Sequence, residues 1–177
     1  MLEADLKYIF GESYTDVFFS NGSHYRDTLN DKGILIFNSF ISKQGLKDLQ
    51  NEANNLKEYS YKSSSEYNVY ISEYDIAYPE NSARNRIMST SKKCIPNDLI
   101  PNKSILQKIY DSPTVRSFFL DLLGKEELHP YEDPLSSINI NYYDKGDALG
   151  WHFDNSDYTI TLLVKNCRKG GVYEFFN

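Results

Sequence analysis

His152 and Asp154 stand two residues apart in Gly150-Trp151-His152-Phe153-Asp154, with an apolar residue between them. On an extended strand, residues at i and i+2 share a face. An imidazole and a carboxylate would converge there while Phe153 packs into the opposite layer. Those two groups are two-thirds of the two-His, one-carboxylate facial triad, which holds non-haem Fe(II) and leaves positions open for substrates. The other histidines lack that arrangement. His24 lies among polar residues between two turn signals and reads as an exposed loop histidine, and His129, followed by Pro130 and Asp133-Pro134, reads as structural or exposed.

A pair two residues apart needs flanking elements to present it. Ile138 to Tyr143 reads as a strand leading in, Lys145-Gly146-Asp147 as a turn, Tyr158 to Val164 as a strand leading out, and Gly170-Gly171 as the next turn. Along the first strand, alternation sets Ile138, Ile140 and Tyr142 on one face and Asn139, Asn141 and Tyr143 on the other. Further upstream, Ser82-Ala83-Arg84-Asn85-Arg86 brings two guanidinium groups close together, the fork suited to bidentate grip on a carboxylate. Two readings stay open for Arg84 and Arg86: solvated surface arginines, or anchors for a substrate carboxylate.

The rest of the chain supplies packing. Leu2, Leu6, Ile9 and Phe10 predict a short helix stopped by Gly11, and Ile34 to Phe37 a short buried strand. Asn21-Gly22-Ser23 and Asn30 to Gly33 are turn signals. Ser42 caps a predicted amphipathic helix with Leu46, Leu49, Ala53 and Leu56 on its apolar stripe. After the polar stretch Ser60 to Ser65, alternation around Tyr67, Val69 and Ile71 predicts a strand, and residues 79 to 103 read as a long irregular loop. Ile105, Leu106 and Ile109 suggest a short helix. Ser112, Pro113, the apolar positions from Val115 to Leu123 and Gly124 make up the strongest helix signal.

The run Ser137 to Tyr143, then Gly146-Asp147, Leu149 to Asn155, Thr161-Leu162-Leu163, and Gly170-Gly171 before Tyr173-Glu174-Phe175 resembles the core of Fe(II)- and 2-oxoglutarate-dependent oxygenases. It is most similar to the small-molecule branch of free amino-acid hydroxylases and halogenases, from near Asp98 to the last residue. The resemblance implies an α+β fold in which N-terminal helices and loops, residues 1–134, pack on the first strands, residues 135–177, of a double-stranded β-helix or jelly roll. One domain is expected. It also implies iron on His152 and Asp154, with 2-oxoglutarate and O2 as cosubstrates. Asn139 and Tyr143 would help to hold 2-oxoglutarate, although those side chains equally suit the solvent side of an edge strand. Halogenases of this branch carry a small residue where Asp154 stands, so the intact carboxylate implies hydroxylation of a small molecule such as a free amino acid.

Family members draw a second His ligand and a 2-oxoglutarate-binding Arg from strands further downstream than Asn177. The chain therefore reads as apparently truncated, and a non-catalytic relative that at most binds metal weakly or a partner remains the alternative. On this reading the chain alone does not turn over 2-oxoglutarate, and open sheet edges favour self-association.

Composition agrees with a small-molecule protein. At 177 residues with net charge -6, the chain suits one domain with a sizeable core and lacks the basic surface that nucleic-acid backbone binding requires. Cys94 and Cys167 belong to no zinc or disulfide spacing and read as free thiols. The N-terminus has no signal-peptide pattern and no window approaches ~18 apolar residues, so a cytoplasmic, membrane-free protein is expected.

Overall fold

The computed structural model describes residues 3–12, 17–18, 22–154 and 156–176. Leu2, Asn21, Asn155 and Asn177, used in the sequence reading, lie outside the described residues. Helices α1 (Glu3–Phe10), α2 (Ser23–Lys32), α3 (Lys43–Leu56), α4 (Ile105–Tyr110) and α5 (Pro113–Leu123) accompany strands β1 (Tyr61–Tyr67), β2 (Met88–Ile95) and β3 (Ile140–Tyr142). The chain divides into two compact units, one of residues 1–56, 96–138 and 172–177, the other of residues 57–95 and 139–171. No described helix is long and apolar enough to cross a membrane.

The first unit is helical and its core is aromatic. Val17, Phe118 and Leu122 are buried at its centre, with Phe18, Tyr25, Leu35, Phe37 and Phe40 packed around them. Phe18 meets Phe118 edge-on at 5.2 Å, and Tyr25 meets Phe37 at 5.1 Å, the tilted geometry that ring quadrupoles favour. Helix ends are closed by side chains. Ser42 Oγ accepts the Gly45 N–H at 3.0 Å and donates to the Tyr8 carbonyl at 2.7 Å, so one hydroxyl caps α3 and ties it to α1. Gly45 is required there, because a Cβ would sit 2.8 Å from the Ile9 carbonyl oxygen. Ser112 caps α5 through the Val115 N–H, and Gly124 ends it at φ 64°. Arg26 donates to the carbonyls of Asp121 and Leu122, satisfying acceptors that the last turn leaves open.

The second unit carries a three-stranded antiparallel sheet in the order β1-β2-β3. Tyr61 pairs with Cys94 and Tyr67 with Met88, while Cys94 pairs with Asn141 on the other side. The protein is therefore mixed helix and sheet, as the α+β reading holds, but the described residues form three strands and no double-stranded β-helix.

Several local expectations are corrected. The strand predicted around Tyr67, Val69 and Ile71 ends at Tyr67, because Asn68, fully buried, accepts the N–H groups of Tyr70 and Ser72 at 2.9 and 3.2 Å and turns the chain. Residues 61–65, read only as a polar stretch, form part of β1, and β2 lies inside the predicted 79–103 loop. Both strands are polar and pair with each other, so neither shows the apolar alternation that marks a half-buried strand. Ile34 to Phe37 forms no strand: Leu35 and Phe37 reach the aromatic core while Ile36 is 68% exposed. Asn30, Asp31 and Lys32 continue α2, and Gly33 ends it at φ 68°. Residues 158–164 enter no sheet ladder, and Ile160 and Leu163 are largely exposed. β propensity does not supply the neighbouring strand that a ladder needs.

Leu49 is the most enclosed leucine of α3, at 1% exposure. Leu49→Ala should cost about 2–5 kcal/mol through lost contacts and a cavity, measured by urea denaturation followed by circular dichroism. A loss under about 0.5 kcal/mol would show that this helix face is not packed as described.

Candidate functional site

The approach to the site is built on β2. Asp147 Oδ1 accepts the Ser91 hydroxyl at 2.7 Å and its Oδ2 accepts the Asp144 N–H at 2.8 Å, closing the turn over Lys145-Gly146, where Gly146 has φ 93°. Those bonds, Ser91 first, hold the Asp147 carboxyl below the usual carboxylate range. Ser91 N–H then donates to the Ala148 carbonyl at 2.8 Å, laying the chain along β2. Two residues on, Gly150 N–H donates to Thr90 Oγ1 at 2.8 Å. A Cβ on Gly150 would lie 3.1 Å from that oxygen and 3.2 Å from Met88 Cβ, so this approach favours glycine.

His152 and Asp154 do converge, though not on a strand. Phe153 N–H donates to the Val69 carbonyl at 2.9 Å and its ring lies 5.4 Å from that of Tyr70, so Phe153 leans on the loop after β1. At 62% exposure it is not packed in an opposite layer, a correction to the strand reading. This anchor turns the flanking side chains together: His152 Nε2 lies 3.1 Å from Asp154 Oδ1, with the side chains 21% and 49% exposed. His152 Nδ1 lies 2.8 Å from the Gly150 carbonyl oxygen. A carbonyl only accepts, so Nδ1 carries a proton. In the neutral ring, Nε2 then presents its lone pair to the carboxylate.

Two lone-pair donors face each other stably when a cation lies between them or when Nε2 is protonated. The 3.1 Å separation is equally that of a direct His–Asp contact, and a backbone carbonyl on Nδ1 is the customary outer support of a ligating histidine. Among the described residues, no group of three or more His, Cys, Asp and Glu side chains is placed to hold a metal ion. The pair thus offers two protein donors.

Asn139 and Tyr143 flank β3, whose Ile140 is buried and Asn141 exposed. Asn139 Oδ1 lies 3.4 Å from the buried Cys94 thiol. Both residues belong to the sheet face that bears Thr90 and Tyr67, and Tyr67 meets the His152 ring edge-on at 6.2 Å. Burial, followed by the nearby Cys94, raises the Tyr143 phenol above its ordinary pKa. Arg84 lies over the Tyr70 ring at 5.0 Å and 3.6 Å from Asp75 Oδ2, too far for a hydrogen bond. Arg86 is exposed. His129 is 79% exposed beside Glu127. His24 lies in α2 and not in a loop, with its side chain outside the description.

Sequence reasoning missed the residues that support the pair. Thr90, 3% exposed, sits inside what read as a loop, and it bonds Tyr67 Oη at 2.6 Å as well as Gly150. Asn85, 4% exposed, joins Asp75, Tyr78 and Pro79 through four hydrogen bonds and shapes the loop holding Arg84. Two polar residues buried among turn signals were the available hint. Thr90→Val keeps the shape and removes both hydroxyl bonds, so it should cost about 1–3 kcal/mol, with Thr90→Ser recovering most of it. Equal denaturation midpoints for wild type and Thr90→Val would remove Thr90 from this role.

No curated protein and no solved structure matches the chain. A family model described as halogenase D (HalD) matches residues 20–176, starting well before Asp98, where the motif resemblance begins. That match spans most of the 177 residues, and the chain belongs to the halogenase D family.

Proposed function

We propose that the protein is an Fe(II)- and 2-oxoglutarate-dependent dioxygenase that hydroxylates a small molecule such as a free amino acid. The observation that carries this reading is the 3.1 Å approach of His152 Nε2 to Asp154 Oδ1 with Nδ1 committed to Gly150, within a chain of the halogenase D family. His152 offers a neutral donor and Asp154 an anionic one. The Gly150 carbonyl keeps the Nδ1 proton away from the metal side. When bound, iron with 2-oxoglutarate and O2 supplies oxidation of an unactivated C–H bond, with succinate and CO2 as coproducts.

Asp154 supports hydroxylation over halogenation. A carboxylate occupies the position that halogenases of the resembled branch leave to a small residue and a halide. In the same reading Asn139 and Tyr143 help to hold 2-oxoglutarate, and Arg84 or Arg86 takes a carboxylate of the substrate. The limited set of two donors among the described residues favours one alternative, a non-catalytic relative that binds metal weakly.

Anaerobic titration with Mn(II), followed by electron paramagnetic resonance, separates these readings. His152→Ala and Asp154→Gly should each weaken Mn(II) binding by roughly tenfold or more, since each removes a direct ligand. His129→Ala should bind as wild type does. Equal loss in all three variants, or in none, would remove the metal assignment. Mn(II) binding that 2-oxoglutarate tightens supports the oxygenase, whereas binding that 2-oxoglutarate leaves unchanged supports the alternative.

A further inference from the structure

β1 is the long open edge of the sheet. Its one strand partner among the described residues is β2, and all of its residues except Ser63 and Tyr67 are exposed. Backbone groups along an antiparallel strand point alternately to one side and the other. Ser91 of β2 donates its N–H to the Ala148 carbonyl, away from β1, and Ser64 stands opposite Ser91. These two residues therefore exchange no hydrogen bonds with each other, so the N–H and C=O of Ser64 point out from the sheet, as do those of Lys62 and Glu66. Among the described residues these outward groups have no hydrogen-bond partner.

The edge itself, Tyr61-Lys62-Ser63-Ser64-Ser65-Glu66-Tyr67, has the same residues from either end except that a lysine answers a glutamate. A second β1 laid antiparallel about a two-fold axis at Ser64 sets Ser64 against the partner's Ser64, Lys62 against the partner's Glu66, and Tyr61 against the partner's Tyr67. Every outward N–H then meets an outward C=O. Opposite charges and aromatic rings placed directly across an antiparallel pair both stabilise it. The register is specified as well. Only Lys62, Ser64 and Glu66 point outward, so a slip of one residue leaves the ladder unbonded, and a slip of two sets Lys62 against Ser64 or Asn68 and loses both ion pairs. A lysine on an exposed edge ordinarily discourages pairing. Here the symmetry that brings up a second strand also brings its counter-charge.

We propose that β1 is a self-docking edge through which two copies of this chain join their sheets antiparallel across Ser64. A single strand edge is a small interface, so the dimer is weak and forms with rising concentration. It needs no metal, and it stands or falls apart from His152 and Asp154.

Sedimentation equilibrium of the full 177-residue chain over a concentration series measures the dimer, and amide hydrogen exchange read by NMR over the same series locates the contact. The amides of Lys62, Ser64 and Glu66 should gain protection as dimer forms, while those of Ser63 and Ser65, which face β2, should not change. Lys62→Glu and Glu66→Lys should each weaken the dimer by about fivefold or more, because each sets like charges opposite at both symmetric positions, and the double variant should recover wild-type affinity. Ser64→Pro should abolish the dimer and keep the fold by circular dichroism, since the N–H it removes faces away from β2. If Ser64→Pro does not fold, the charge exchange decides. A chain that stays monomeric at every concentration would overturn the docking edge. So would a dimer whose outward amides stay unprotected, which places the contact elsewhere, or protection independent of concentration, which means that the chain covers its own edge. A double variant no tighter than the single ones would overturn it too.

Discussion

Gly150 is held through both of its backbone polar groups, and the site depends on that. Its N–H is fixed by Thr90 on β2 and its carbonyl takes the Nδ1 proton of His152. Two consecutive planar peptides, joined at Gly150, therefore link the strand to an imidazole two residues away. The absence of a Cβ lets Gly150 come so close. Precision comes from the sheet, although neither His152 nor Asp154 belongs to a strand. Such support suits a pair that must keep two donor atoms at a set separation.

The loop after β1 supplies the second constraint. Asn68 turns the chain at the strand end, Asn85 gathers three separate carbonyls, and Val69 receives the Phe153 N–H. Side-chain amides here replace the backbone ladder that a regular strand would have provided. The face of Phe153 opposite this loop stays open to solvent. An aromatic residue between two polar ones acts as a tether, setting the angle at which its neighbours meet.

Much of the helical part was legible in the sequence. Ser112-Pro113 and Gly124 bracket α5 because caps are local chemistry, written in adjacent residues. The pairing of His152 with Asp154 was also legible from spacing, although the strand invoked for it was not the cause. The sheet was hidden. In Tyr61–Tyr67 and Met88–Ile95, serines and lysines fill positions on both faces, so no burial pattern distinguishes strand from loop. Conversely, Tyr158 to Val164 has the composition of a strand and is assigned to no strand among the described residues. Hydrophobic alternation reports burial, and where burial and pairing separate, it misleads in both directions.

Neither compact unit is continuous in sequence. As a chain is synthesised, Val17 and Phe18 leave the ribosome about a hundred residues before Phe118, the ring that completes their core. β1 and β2 are closer together in sequence and can pair while that core is still open. Assembly from the N-terminus is therefore interleaved: the polar hairpin can form before the aromatic core closes, and β3 joins later still. During that interval Val17 and Phe18 lack the ring that later covers them.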